Sequence, residues 1–250
     1  MTIQQVLFSK SPNIVADGGS VSISDNYKIH TFTSSDVFSV YDTGNNLTDI
    51  EYLVVAGGGG GGGGAGAEAG AGGGAGGLLT GTFSPQIQNY TITVGSGGAF
   101  NTNGVDSTID GIVTSTGGGA GGAIDEQNRG AGTDGQNGGS GGGGGSNQKN
   151  ILAAGTGIAG QGYDGSQSIN ELNLNILPGA GGGAGGAGGA ITDSIGGVGI
   201  TTDISGISIT YATGGDGGNI TGDGADNTGD GGKYNSNGGS GIVIIRYQIV

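Results

Sequence analysis

Leu53-Val54-Val55-Ala56-Gly57-Gly58-Gly59-Gly60-Gly61-Gly62-Gly63-Gly64 decides the fold: an apolar, β-branched run passes without a turn into unbroken glycine. Four later glycine-dominated blocks, near residues 117–122, 130–145, 179–189 and 214–232, repeat the theme, and glycine fills 68 of the 250 positions. Each glycine held in regular structure costs roughly 0.5–1 kcal/mol relative to alanine. An ordered chain of this composition therefore has to recover tens of kcal/mol from something other than side-chain packing.

Disordered linkers lack apolar punctuation. Here strand-like runs stand between the glycine blocks, at Thr91-Ile92-Thr93-Val94, Gly111-Ile112-Val113-Thr114, Gly206-Ile207-Ser208-Ile209-Thr210-Tyr211 and Gly241-Ile242-Val243-Ile244-Ile245-Arg246-Tyr247. Collagen is excluded by three prolines in the whole chain and the lack of a strict G-X-Y period. What remains is packed polyglycine II: left-handed helices with three residues per turn and no internal hydrogen bonds. Their N–H and C=O groups must bond laterally to neighbouring segments. Alanine is expected where one face looks outward, as the three-residue spacings Ala120/Ala123 and Ala184/Ala187/Ala190 suggest. The fold class expected is thus mainly β and irregular, a sandwich of polyglycine II helices with short flanking strands and little or no α-helix.

Residues 1–50 have ordinary composition and read as a small β-rich attachment region. Residues 51–250 read as the glycine-rich domain with intervening hairpins and loops. Strands are expected at Ser20-Val21-Ser22-Ile23-Ser24, at Tyr27-Lys28-Ile29-His30-Thr31-Phe32-Thr33 and over residues 50–56. Residues 78–83 and 90–94 read as a hairpin joined around Ser84-Pro85-Gln86. The terminal strand in residues 238–250 is expected to pair with residues 50–56 or with the Ile207 run.

The formal charge of −14, from 20 acidic and six basic residues, leaves no positive footprint for nucleic acid. Cysteine is absent, so neither disulfides nor thiolate metal sites can staple the fold. No run approaches the length of a membrane span, and the first ten residues lack the basic and apolar regions of a secretory signal. Release by host lysis, as part of a virion, is the expected way out of the cell.

The stretches Tyr27-Lys28-Ile29-His30-Thr31-Phe32-Thr33-Ser34-Ser35, Ile50-Glu51-Tyr52-Leu53-Val54-Val55-Ala56 followed by glycines, and Gly238-Gly239-Ser240-Gly241-Ile242-Val243-Ile244-Ile245-Arg246-Tyr247 carry a resemblance. Over residues 27–248 the chain resembles the glycine-rich domain of phage tail proteins. More loosely, it resembles the polyglycine-helix adhesins that cap the long tail fibres of large tailed bacteriophages. The resemblance implies a rigid glycine-helix scaffold whose loops at the far end touch a receptor on the bacterial surface, an outer-membrane protein or a glycan. It also implies attachment to a fibre shaft, with residues 1–25 as the attaching segment.

Chemistry-bearing motifs are few. The run beginning at Gly57 satisfies the dinucleotide fingerprint, as any polyglycine does, but no helix or acidic ribose ligand follows. Asp216, Asp223, Asp226 and Asp230 resemble calcium β-roll repeats without their nine-residue period. They read as a solvated acidic edge or, failing that, as oxygen ligands for an adventitious calcium or magnesium ion. His30, the single histidine, stands in a strand beside no nucleophile, so no enzyme activity and no cofactor are expected. Partner contact is expected instead from aromatic and long polar side chains between the glycine blocks: Phe100, Asn101, Asn103, Arg129, Lys149, Tyr163 and Tyr234. The competing expectation is a structural fibre, polymerising by strand addition through residues 21–32 and 242–247.

Overall fold

The computed structural model describes residues 11–45, 49–63, 70–123, 132–145, 151–171, 174–189 and 193–249. Among them no helix forms. Four strands lie in the first 45 residues: β1 (Val15–Asp17), β2 (Ser20–Ser24), β3 (Tyr27–Phe32) and β4 (Asp36–Asp42). They are followed by β5 (Ile50–Val55), β6 (Leu78–Phe83), β7 (Asn89–Thr93), β8 (Ser107–Ile109) and β9 (Val113–Ser115). The later strands are β10 (Ile169–Glu171), β11 (Leu174–Leu177), β12 (Ile200–Thr202), β13 (Ile209–Tyr211) and β14 (Ile242–Gln248).

Two five-stranded sheets, with orders β2-β3-β14-β5-β6 and β1-β4-β7-β8-β9, pack face to face, while β10-β11 and β12-β13 are separate two-stranded ribbons. All strand pairs are antiparallel. The core between the large sheets holds Phe32, Val54, Val243, Ile245 and Tyr247 from one and Phe38, Val40, Tyr90, Ile92 and Ile109 from the other. The opposite face of the first sheet carries a second core of Ile29, Leu53, Val55, Leu78, Ile242 and Ile244, covered by Ile204 and Tyr211. That is why Ile242-Val243-Ile244-Ile245 reads as continuous apolar sequence: β14 is buried on both faces, which removes the alternation of a half-exposed strand.

The terminal strand does pair with β5, Ile242 opposite Val55 and Arg246 opposite Glu51, and its other edge is taken by β3. It does not pair with the Ile207 run, whose first residues form a turn with Gly206 at φ 87° and whose last three, Ile209–Tyr211, are β13, paired with β12. The hairpin expected between residues 78–83 and 90–94 does not form. β6 pairs with β5 in one sheet and β7 with β4 and β8 in the other. Phe83 and Tyr90 instead meet edge to face across the core, centroids 5.3 Å apart. Burial of both rings between sheets outweighs a local ladder.

The glycine blocks are extended segments with a three-residue rhythm in their hydrogen bonds. In residues 57–62 the N–H groups of Gly57 and Gly60 donate to Val105 and Thr102, those of Gly58 and Gly61 to Gly239 and Ser236, and those of Gly59 and Gly62 to Gly74 and Ala71, at 2.7–3.0 Å. Their carbonyls accept with the same rhythm: Gly57 and Gly60 from Gly118 and Gly121, Gly58 and Gly61 from Gly98 and Asn101, Gly59 and Gly62 from Gly232 and Asn235. Six segments thus surround this one. Residues 71–77 are enclosed likewise, donating to 179–182, 229–232 and 116–119 and accepting from 56–62, 140–143 and Gly215. Interior glycine is required by contact: a Cβ on Gly58 would strike the Asp230 carbonyl, and one on Gly62 the Gly122 carbonyl.

The alanines do not mark an outward edge. Ala71, Ala75, Ala120, Ala180 and Ala184 are all buried. Ala75 and Ala184 point their methyls into the second apolar core, where the lattice abuts the sheet and a Cβ has room. Ala123 is half-buried and Ala187 exposed, and Ala190 lies outside the described residues.

Lattice edges are closed by side chains. The Oδ1 atoms of Asp106 and Asn103 accept N–H from Gly117 and Ala120, three residues apart on the neighbouring segment. Asp134 and Asn137 do the same for Ala153 and Thr156. Asp164, Asp216, Asp223 and Asp230 accept from Gly157, Gly196, Asn237 and Thr213. Much of the negative charge is therefore a set of acceptors for outer N–H groups that have no further segment to bond.

Candidate functional site

The segments run away from the sheets and return, so the molecule has a sheet end and a far end. Gly63, Asn101, Tyr234 and Asn235 meet at the far end: Asn101 accepts the Gly63 N–H at 2.9 Å and donates to its carbonyl at 3.1 Å, while Asn235 N–H reaches Gly62. Asn101 sits at φ 61°, the left-handed region that asparagine tolerates best among non-glycine residues. Tyr234 is buried, its ring so close to Gly63 and Gly70 that a Cβ on either would crowd it. Asn101, Asn103 and Tyr234 are thus committed to the scaffold, and Asn103 also donates weakly to the Asn137 carbonyl at 3.4 Å.

Phe100 differs. Its backbone N–H is held by Asn237 Oδ1 at 3.2 Å while the residue stays 51% exposed, so a fixed backbone presents a bare ring. Ile151, Ile195 and Ile220, which sequence reasoning passed over, are exposed to a similar degree. The signal was available for two of them: Ile195 and Ile220 each stand alone between glycine or polar neighbours, with no strand of their own to pack, whereas Ile151 is followed by Leu152. Arg129 and Lys149 lie outside the described residues.

Tyr163 stands apart from this group. Its N–H donates to Gly183 and its carbonyl accepts from Gly141, which puts it on a side of the lattice toward the sheet end. The ring is 52% exposed beside an open cleft of about 620 Å³, lined also by Gly157, Gly160, Asp164, Ala184 and Ala187. Residues 163–168 belong to the lattice, and β10–β11 forms a ribbon beyond them.

The four aspartates named as metal candidates do not converge. Asp216 pairs with Lys233 at 2.8 Å, and each of Asp216, Asp223 and Asp230 holds a different backbone N–H. Burial raises the pKa of Asp230, against the hydrogen bonds that lower it. Asp226 is exposed. Among the described residues no three His, Cys, Asp or Glu side chains gather in a way that could hold a metal. His30 is fully buried in the first core, its Nδ1 2.8 Å from the Gly18 carbonyl and its Nε2 3.2 Å from the Tyr247 hydroxyl, with Phe38 edge-on. Burial lowers its pKa, so the neutral ring is the native form.

A two-sheet sandwich fused to a lattice of mutually bonded glycine segments defines the class: an all-β, glycine-rich domain whose segments are joined by backbone hydrogen bonds. A family model described as glycine-rich domain matches residues 33–248, and the chain belongs to that family. None of the curated proteins compared with the chain matches it.

Proposed function

We propose that the glycine segments are polyglycine II helices and that the protein is the receptor-binding tip of a phage tail fibre, adhering to a bacterial outer-membrane protein or glycan. The three-residue rhythm of donors and acceptors in residues 57–62 supports the helix assignment, because a three-fold helix turns every third amide to the same neighbour. The observation that carries the function is the exposed apolar set of Phe100, Ile151, Ile195 and Ile220, with the Phe100 backbone held by the Asn237 side chain. Such exposed positions can vary in sequence without disturbing the lattice. Rigid aromatic and aliphatic anchors bind at low entropic cost, and several fibres per particle multiply a weak contact. The virion tail fibre is the location this reading requires, with a shaft protein as the second partner.

Strand addition between copies is the other reading. β14 cannot serve it, being paired on both edges, but β2 is an edge strand whose Val21 and Ile23 are exposed. Negative-stain imaging of purified protein with and without candidate host cells separates the two. Discrete particles that decorate cells, with decoration lost in a Phe100→Ala, Ile151→Ser, Ile195→Ser, Ile220→Ser variant of unchanged melting temperature, support adhesion. Filaments that form without cells and ignore them refute it.

A further inference from the structure

The cleft beside Tyr163 has the makings of a site of its own. The Tyr163 ring and hydroxyl make no hydrogen bond or ring contact among the described residues, although the residue's backbone is bonded on both sides to Gly183 and Gly141. Asp164 follows it. One carboxylate oxygen, Oδ1, accepts the Gly157 N–H at 2.8 Å, which fixes the side chain and leaves Oδ2 open. The Asp164 N–H has no partner among the described residues, while its carbonyl is used by Gly188. The rest of the lining is glycine and alanine: Gly157, Ala159, Gly160, Gly162, Ala184 and Ala187.

We propose that this cleft binds a neutral hexopyranose. A half-exposed aromatic ring offers a flat apolar surface for the C–H face of a sugar. The open Asp164 Oδ2 accepts from ring hydroxyls, and the Asp164 N–H donates to a sugar oxygen. The floor of glycine and alanine is shallow enough to admit a ring but offers no large apolar wall for a hydrophobic ligand. The volume lies in the range of small-molecule sites. The sugar has to be neutral, because among the described residues no cationic side chain lines the cleft and the chain's charge of −14 opposes carboxylated or phosphorylated glycans. The site is preorganised: tyrosine and aspartate are adjacent on a segment whose backbone is locked in the lattice.

The inference deepens the adhesin reading and rests on it for the source of the sugar, a bacterial surface glycan. The test is saturation-transfer NMR on the full chain with the methyl glycosides of glucose, galactose, mannose and N-acetylglucosamine, with methyl glucuronide as the anionic comparison. At least one neutral glycoside binds and the glucuronide does not. Tyr163→Phe keeps binding, because it keeps the ring, and Tyr163→Ala weakens it roughly tenfold or more. Asp164→Asn retains the Oδ1 acceptor for Gly157 and so tests the charge without opening the turn. Absence of binding by all four neutral glycosides overturns the proposal, as does a Tyr163→Ala variant that binds like wild type. Wild-type protein that binds a glycoside yet decorates no cell sinks the adhesin reading alone. Decorated cells with no glycoside binding sink the cleft alone.

Discussion

Replacing Gly73 with alanine reverses the usual sign of a glycine-to-alanine change. In an ordinary strand or helix that substitution gains roughly 0.5–1 kcal/mol. At Gly73 the new methyl would strike the Gly59 carbonyl, backbone with no side chain to swing aside. Relief requires the two segments to part by roughly 1 Å to reach normal carbon contact. The bonds at stake are Gly73 N–H to Gly232, Gly215 N–H to Gly73, Gly59 N–H to Gly74 and Gly232 N–H to Gly59, all 2.8–2.9 Å. With each weakened bond worth about 1 kcal/mol net, and more if a buried group is left unpaired, the loss is about 2–4 kcal/mol. That is a large share of the ~5–15 kcal/mol typical of a domain. Gly186→Ala is the control: its Cβ would meet only the Val198 side chain, at 3.2 Å. Urea unfolding followed by circular dichroism measures both. A Gly73→Ala variant within about 0.5 kcal/mol of wild type, or no less stable than Gly186→Ala, refutes the view that backbone contact fixes these positions.

Two further outcomes follow from buried polar groups. Because burial lowers the His30 pKa below its ordinary 6.5, the unfolded chain binds the proton more readily. The stability is fully present above about pH 6.5 and is lost as the pH falls toward the folded value. His30→Phe flattens that slope in urea midpoints measured between about pH 7.5 and about pH 5, and a slope unchanged by the substitution counts against it. Asn103→Ala removes the acceptor for the buried Ala120 N–H. It costs about 1–3 kcal/mol by denaturant titration, whereas Phe100→Ala, which removes only an exposed ring, leaves stability within about 0.5 kcal/mol.

The all-β class was legible in the alternation of Ser20-Val21-Ser22-Ile23-Ser24 and in the apolar runs at residues 50–56 and 242–247, because local periodicity reports which side chains need burial. β1 and β4 were less so: three residues of Val15-Ala16-Asp17 carry no period. The site was legible only in part. Phe100 and Tyr163 stood out as rings with no core to fill, and both are exposed. Asn101, Asn103 and Tyr234 looked the same in sequence yet are turned onto the scaffold, since nothing local tells whether an amide meets a partner or a neighbouring backbone N–H.

By itself the sequence determined that this protein must satisfy its backbone laterally. Sixty-eight glycines with so few apolar side chains admit no other source of order. It also determined that acidic groups would dominate the surface. Only the tertiary structure decided which segments are neighbours, that β14 lies between β3 and β5, that β6 and β7 part into different sheets, and that the aspartates serve as edge acceptors. The physical reason is that glycine carries no side chain to encode a partner. Where one glycine segment could bond equally well to many others, pairing is set by the sandwich that fixes where each segment begins and by the Asp and Asn side chains that close the edges.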